Sequence, residues 1–183
     1  MKQSAYFTFE IDGVRVGFYE EHDAPAASEI RATPEGQGAR VLRMSAWIAL
    51  GGTEHVNRFA VRYVGNEVLA YLTPAGAWVS VAEGTYPSAA LSVLARRMQD
   101  GDDFSYLQID EGLGRVVAHA TLRRQGDTVV ETVDDEPRRR VVLAGGRVVA
   151  YGWGGSALSR RVPSRADAVR GTVFAGRPSH EVS

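Results

Sequence analysis

The sequence predicts a mainly β protein of the α+β class: a strongly curved antiparallel sheet, or half-barrel, of about ten strands wrapped around one central helix. Three observations predict it. Apolar residues alternate with period two over most of the chain. Turn dipeptides such as Asp12-Gly13, Gly51-Gly52 and Gly145-Gly146 break the alternation at hairpin spacing. One segment alone, residues 86–98 (YPSAALSVLARRM), places its apolar side chains at helical intervals. A sheet of that many hairpin-linked strands cannot stay flat without strong twist or curl, and the helix then has a concavity to fill. A two-sheet sandwich with the helix at one end would bury the same alternating faces and stays open as an alternative.

In chain order, Phe7, Phe9 and Ile11 share a face, Asp12-Gly13 supplies the positive φ of a tight turn, and Val14, Val16 and Phe18 resume the alternation. Residues 22–37 read as a loop with a weak edge strand near 28–33. Residues 39–50 (ARVLRMSAWIAL) become apolar on both faces, as in a strand covered on both sides. Turns at Gly51-Gly52, Gly65-Asn66 and Pro74-Ala75-Gly76 then order a four-strand meander.

The helix is expected over 87–99, with Leu91, Leu94, Ala95 and Met98 at i, i+3, i+4 and i+7. Thr85 is its expected N-cap, Pro87 suits its first turn, and Gly101 is its expected C-terminal stop. Five more strands follow, turning at Gly126-Asp127, at the acidic corner 134–136 and at Gly145-Gly146. Residues 1–162 are thus one domain. Residues 163–183 read as a partly disordered tail with one docked stretch near 169–174.

Composition narrows function mainly by exclusion. At 183 residues the chain can bury one full core, and 44% hydrophobic with 23% charged residues is the balance of an ordinary globular domain. A net charge of −1 supplies no long-range field toward nucleic acid or anionic membrane. The absence of cysteine excludes disulfides, thiolate nucleophiles and Cys-ligated metals. The first residues lack the apolar core of a secretory signal, and no run reaches the ~18 apolar residues of a helical span. The expected setting is cytoplasmic, without a membrane span.

Among chemistry-bearing residues, Arg96-Arg97 at the helix end could clamp a phosphate or carboxylate headgroup. The plainer reading is that they complement the helix dipole. Trp47, Trp78, Tyr86, Tyr151 and Trp153 could line an apolar pocket, or could simply be core. Trp153-Gly154-Gly155-Ser156 offers approachable amides, or only a turn. His22, His55, His119 and His180 have no metal-ligand spacing, and no nucleophile elbow, P-loop or dinucleotide fingerprint is present. No metal and no cofactor is expected. Arg123-Arg124, the run 138–140 and Arg160-Arg161 have acidic neighbours, so cross-strand pairing or an exposed rim accounts for them without nucleic acid.

Four features taken together carry a resemblance. They are Gly76-Ala77-Trp78, a Pro-Ser-led helix ending in Arg96-Arg97-Met98, the strands after it, and the closing run 146–151 (GRVVAY). Over residues 61–161 this layout resembles the glycolipid-binding family with a spiral β-roll, and it is similar to the half-barrels of lipoprotein carriers. The resemblance implies an antiparallel sheet wrapped around a helix, with an amphiphile site between them.

The leading expectation is therefore a non-enzymatic binding protein, monomer or homodimer, for an amphiphilic or lipid-like small molecule on the concave face. Arg96, Arg97, Trp78, Tyr86, Tyr151 and Trp153 are its candidate ligand residues. One alternative is an assembly module pairing through an open sheet edge. Another is an enzyme that uses His119, or His55, with a neighbouring carboxylate at Asp110-Glu111 or Glu54.

Overall fold

Period-two alternation becomes thirteen strands in the computed structural model, which describes residues 1–26, 38–65 and 67–177. The weak strand expected near 28–33, Asn66 of the Gly65-Asn66 turn, and His180 lie outside the described residues. The first six strands are β1 (Gln3–Ile11), β2 (Val14–Pro25), β3 (Arg40–Leu50), β4 (Thr53–Val64), β5 (Glu67–Leu72) and β6 (Trp78–Ser80). After β7 (Thr85–Pro87), a 3₁₀ turn (Ser88–Ala90) leads into α1 (Leu91–Arg97). Then come β8 (Asp103–Asp110), β9 (Arg115–Gln125), β10 (Thr128–Val133), β11 (Glu136–Ala144), β12 (Arg147–Gly152) and β13 (Leu158–Val162), and last α2 (Arg165–Val169).

All thirteen strands belong to one sheet, in the order β6-β5-β4-β3-β2-β1-β13-β12-β11-β10-β9-β8-β7. Every pairing is antiparallel except that of β7 with β8. The first and last strands pair mid-sheet, which leaves two sequence neighbours, β6 and β7, at the two edges. This connectivity dictates the curvature. Laid flat, the strands would span on the order of 55 Å at ~4.8 Å per neighbour. The link through residues 81–84 reaches at most about 18 Å. The sheet must therefore bend until its edges approach.

In place of one central helix there are two short ones among the described residues, and α1 touches β5 on one limb of the sheet and β11 on the other, while the 3₁₀ turn touches β4 and β8. Leu91, Val93, Leu94 and Ala95 are buried in one core with Phe7, Leu42, Val61, Leu122, Val129 and Val141. Opposite parity points outward. Phe18, in β2, stacks on Trp47 at 5.8 Å and an interplanar angle of 5°, and Ala168, Val169 and Phe174 cover the pair. Of the expected tail, the stretch near 169–174 is thus docked on the convex face, capped at the start of α2 by Ser164, whose Oγ accepts from the Asp167 amide at 3.2 Å.

Four sequence expectations change here. The strands number thirteen among the described residues rather than about ten; the unexpected ones are β7, too short at three residues to show an alternation, and β13, whose sequence LSRRV lacks one. The helix covers Leu91–Arg97 rather than 87–99: Pro87 sits in β7 and Met98 is extended at ψ 143°. Gly101, with φ 86°, belongs to the turn that follows rather than to the helix end. Nor does Thr85 cap the helix. Its hydroxyl donates to the Ala82 carbonyl at 2.7 Å, and the distant Glu111 carboxylate takes the Ala89 amide at 2.7 Å and the Ser88 hydroxyl at 3.0 Å.

Gly17 shows how tightly the strands are drawn together. It pairs with Phe9 and Ile48, and a Cβ there would lie 1.8 Å from the Trp47 carbonyl oxygen. Only glycine permits that approach. Among the described residues no helix is long and apolar enough to cross a membrane.

Candidate functional site

A buried polar layer divides the concave face. Adjacent strand residues leave opposite faces, so of Glu20-Glu21 one carboxylate must point inward. It is Glu21, 4% exposed, which shares the inner face of β2 with Tyr19. The Tyr19 hydroxyl donates to Glu21 Oε1 at 3.2 Å, the Tyr151 hydroxyl donates to the same oxygen, and the Arg96 guanidinium stands 3.5 Å from Oε2. Burial raises the Glu21 carboxyl above its ordinary 4.5, an effect that Arg96 and the two phenols only partly offset. Burial first, and then the Glu21 charge, push both phenols well above 10.

The two ends of the concavity differ on either side of this layer. One end holds a cavity of ≈ 250 Å³, walled by Phe9, Met44, Ile48, Leu91 and Trp153, with Phe59 half-exposed at its side. Trp153 stacks on Tyr151 at 4.7 Å, and its indole N–H donates to Ser159 Oγ at 2.8 Å. The polar groups here are few: Asn57, Ser88, Ser92 and Arg139. The Ser92 hydroxyl, buried beside the Tyr151 phenol, makes no hydrogen bond of ordinary geometry among the described residues. Arg139 is neutralised by the fully buried Glu131, directly opposite in register, which takes its Nε at 2.5 Å and its Nη2 at 2.7 Å. Glu131 also accepts from the Tyr106 hydroxyl at 2.6 Å.

Further along the same strands lies a polar cleft of ≈ 410 Å³, reached by passing from Tyr19 to Asp23 on β2, from Phe9 to Gln3 on β1, and from Tyr151 to Arg147 on β12. A third hollow, ≈ 710 Å³, occupies the gap between the sheet edges beside Val68, Val81, Glu83, Tyr86 and Arg97.

The six expected ligand residues are therefore dispersed. Tyr151 and Trp153 line the apolar cavity. Arg96 lines the polar cleft, and Arg97 lies in the edge gap with its guanidinium 3.8 Å from the Phe104 ring centre and 5.7 Å from that of Tyr86. Tyr86 borders the same gap, and Trp78 is on edge strand β6 under Arg62, 4.4 Å from it. Consecutive helical residues diverge by about 100°, which sends Arg96 and Arg97 to different hollows. Trp47 belongs to the convex face.

The remaining sequence candidates resolve as structure. Trp153 to Ala157 closes a turn through Ala157 N–H to Gly154 O at 3.1 Å. Arg123 pairs across the strands with Asp103 at 2.8 Å, and Arg160 meets Glu10 at 2.9 Å. His119 is exposed on β9, whereas Glu111 turns inward under the 3₁₀ turn. Glu54 pairs with Arg177 at 2.7 Å, on the face opposite its strand neighbour His55. Neither histidine meets its expected carboxylate. Among the described residues no group of three or more His, Cys, Asp or Glu is arranged to hold a metal ion.

Sequence reasoning missed Glu21, Ser92, Glu131 and Arg139. A signal existed for two of them: consecutive charges within a strand, Glu20-Glu21 and residues 138–140, cannot all face solvent on a sheet with one buried face. Set against family models, curated proteins and solved structures, the chain finds no match.

Proposed function

We propose that this protein binds a small apolar or amphiphilic molecule in the Trp153 end of the concave face. The observation that carries the reading is the ≈ 250 Å³ cavity itself, walled by aromatic and aliphatic side chains, with the Ser92 hydroxyl buried at its side next to Tyr151. A void walled this way stays free of water unless polar groups converge on it, and filling it recovers dispersion contacts. Its volume lies just under the ~300–1,000 Å³ typical of drug-sized sites. The fit is to one acyl chain or one ring system, its polar end reaching Ser88, Ser92 or solvent beside Phe59. The resemblance to the spiral β-roll glycolipid-binding family points to the same class of ligand. The edge-pairing alternative has less to offer, since β6 and β7 supply three residues each.

Titration with the neutral fluorophore N-phenyl-1-naphthylamine tests the proposal. Saturable enhancement, displaced by 1-decanol, is expected for the wild type. Ala46, half-buried on the cavity wall, gives the control. Ala46→Leu fills the space and should abolish the signal while leaving the melting temperature unchanged or higher. Non-saturable fluorescence, or equal binding by the filled variant, sinks the reading.

A further inference from the structure

The polar cleft beyond Glu21 has its own chemistry, independent of the apolar cavity. Three arginines far apart in sequence line it: Arg96 from the last turn of α1, Arg147 from the start of β12 and Arg161 from β13. In a chain of net charge −1 this concentration is local. The cleft also holds two carboxylates, Glu21 and Asp23. Asp23 is already engaged, taking Arg40 Nε at 2.9 Å and the Tyr63 hydroxyl at 2.6 Å. Glu21 is buried and spends one oxygen on the two phenols, so with Asp23 taken up by Arg40, one carboxylate stands against three guanidinium groups.

Nor do protein acceptors saturate those guanidinium groups. Each offers five N–H donors. Arg96 approaches Glu21 at 3.5 Å, beyond the usual length of a charge-assisted hydrogen bond. Arg161 has one long bond, to the Val148 carbonyl at 3.3 Å. Arg147 has no hydrogen-bond or ion-pair partner among the described residues. A planar carboxylate is satisfied by one bidentate fork, whereas a tetrahedral dianion accepts from several directions at once.

We infer that this cleft is a second binding site, specific for the terminal phosphate of a phosphomonoester, held jointly by Arg96, Arg147 and Arg161. The phosphate can come from a soluble metabolite-sized monoester or from a lipid headgroup. In both cases the three arginines recognise the same –OPO₃²⁻ group. The layer of Tyr19, Glu21 and Tyr151 separates this site from the apolar cavity, so occupancy of one does not require the other.

Amide NMR at constant ionic strength tests the inference, because Gly146 lines the cleft and contributes a backbone N–H beside Arg147. Millimolar inorganic phosphate should shift the Gly146 and Arg147 amides saturably. Arg147→Ala and Arg161→Ala remove exposed side chains, so both variants should fold, and each should weaken phosphate binding tenfold or more. Tighter binding of glycerol 3-phosphate than of phosphate assigns the site to soluble monoesters. Tighter binding of lysophosphatidate than of either assigns it to a lipid headgroup. Absence of a saturable shift with phosphate, or affinity unchanged in both variants, overturns the site. Binding of 1-decanol, read at the other end of the concavity, is unaffected by either result.

Discussion

The Trp153 end and the Arg96 end of the concave face are built by the same strands, yet one is an apolar cavity and the other a charged cleft. On β2, Tyr19 faces the first and Asp23 the second; on α1, Leu91 faces the first and Arg96 the second. The difference shows that a curled sheet specifies one continuous inner face but not one continuous chemistry. Position along the strand decides the chemistry, and the buried Glu21 layer keeps the two ends apart.

The largest effect is expected where the apolar end depends on a charge pair. Arg139 lines the cavity only because Glu131 neutralises it. Glu131→Ala leaves a mostly covered guanidinium unpaired and the Tyr106 phenol without its acceptor. It should cost about 3–5 kcal/mol in urea unfolding and should abolish apolar probe binding. A loss under about 1 kcal/mol would show that the pair is solvated and that the two ends differ less than described.

A smaller effect sharpens the role of the dividing layer. Because burial raises the Glu21 carboxyl, the native state keeps that proton to higher pH than the unfolded chain. The stability tied to this proton is complete below the unfolded value near 4.5 and is lost as pH rises through the native value. Glu54 and Asp103, held below their ordinary values by Arg177 and Arg123, act in the opposite sense, so the readout is the difference between wild type and variant. Melting temperatures taken from acid toward neutral pH should fall more steeply for wild type than for Glu21→Gln. Parallel curves would mean that Glu21 is as well solvated in the native state as in the unfolded one.

Much of the fold was legible in the sequence because its local devices are strong. Asp12-Gly13 adopts φ values of 50° and 76°, as a tight hairpin turn needs, and Leu91, Leu94 and Ala95 do form the buried face of a helix. What stayed hidden is non-local. The pairing of β1 with β13 links residues some 150 positions apart and has no turn signal, yet it sets which strands become edges. The helix cap was misplaced for the same reason: Glu111 does the capping from a separate strand end, and no spacing rule connects it to Ala89. The site was half legible. Residue type singled out Tyr151 and Trp153, which line the apolar cavity, but adjacency in sequence grouped Arg96 with Arg97, which the helix sends to separate hollows.

The chain's three methionines allow the central claim to be read directly: Met44 lines the apolar cavity, Met98 follows α1 outside it, and Met1 is exposed at the terminus. With methyl-¹³C methionine and 1-decanol as ligand, the Met44 methyl should shift saturably and show intermolecular NOEs to the alkyl chain, while Met98 and Met1 stay in place. A shift confined to Met98 or Met1, or a Met44 methyl that does not respond at saturating decanol, would contradict an apolar binding site at the Trp153 end.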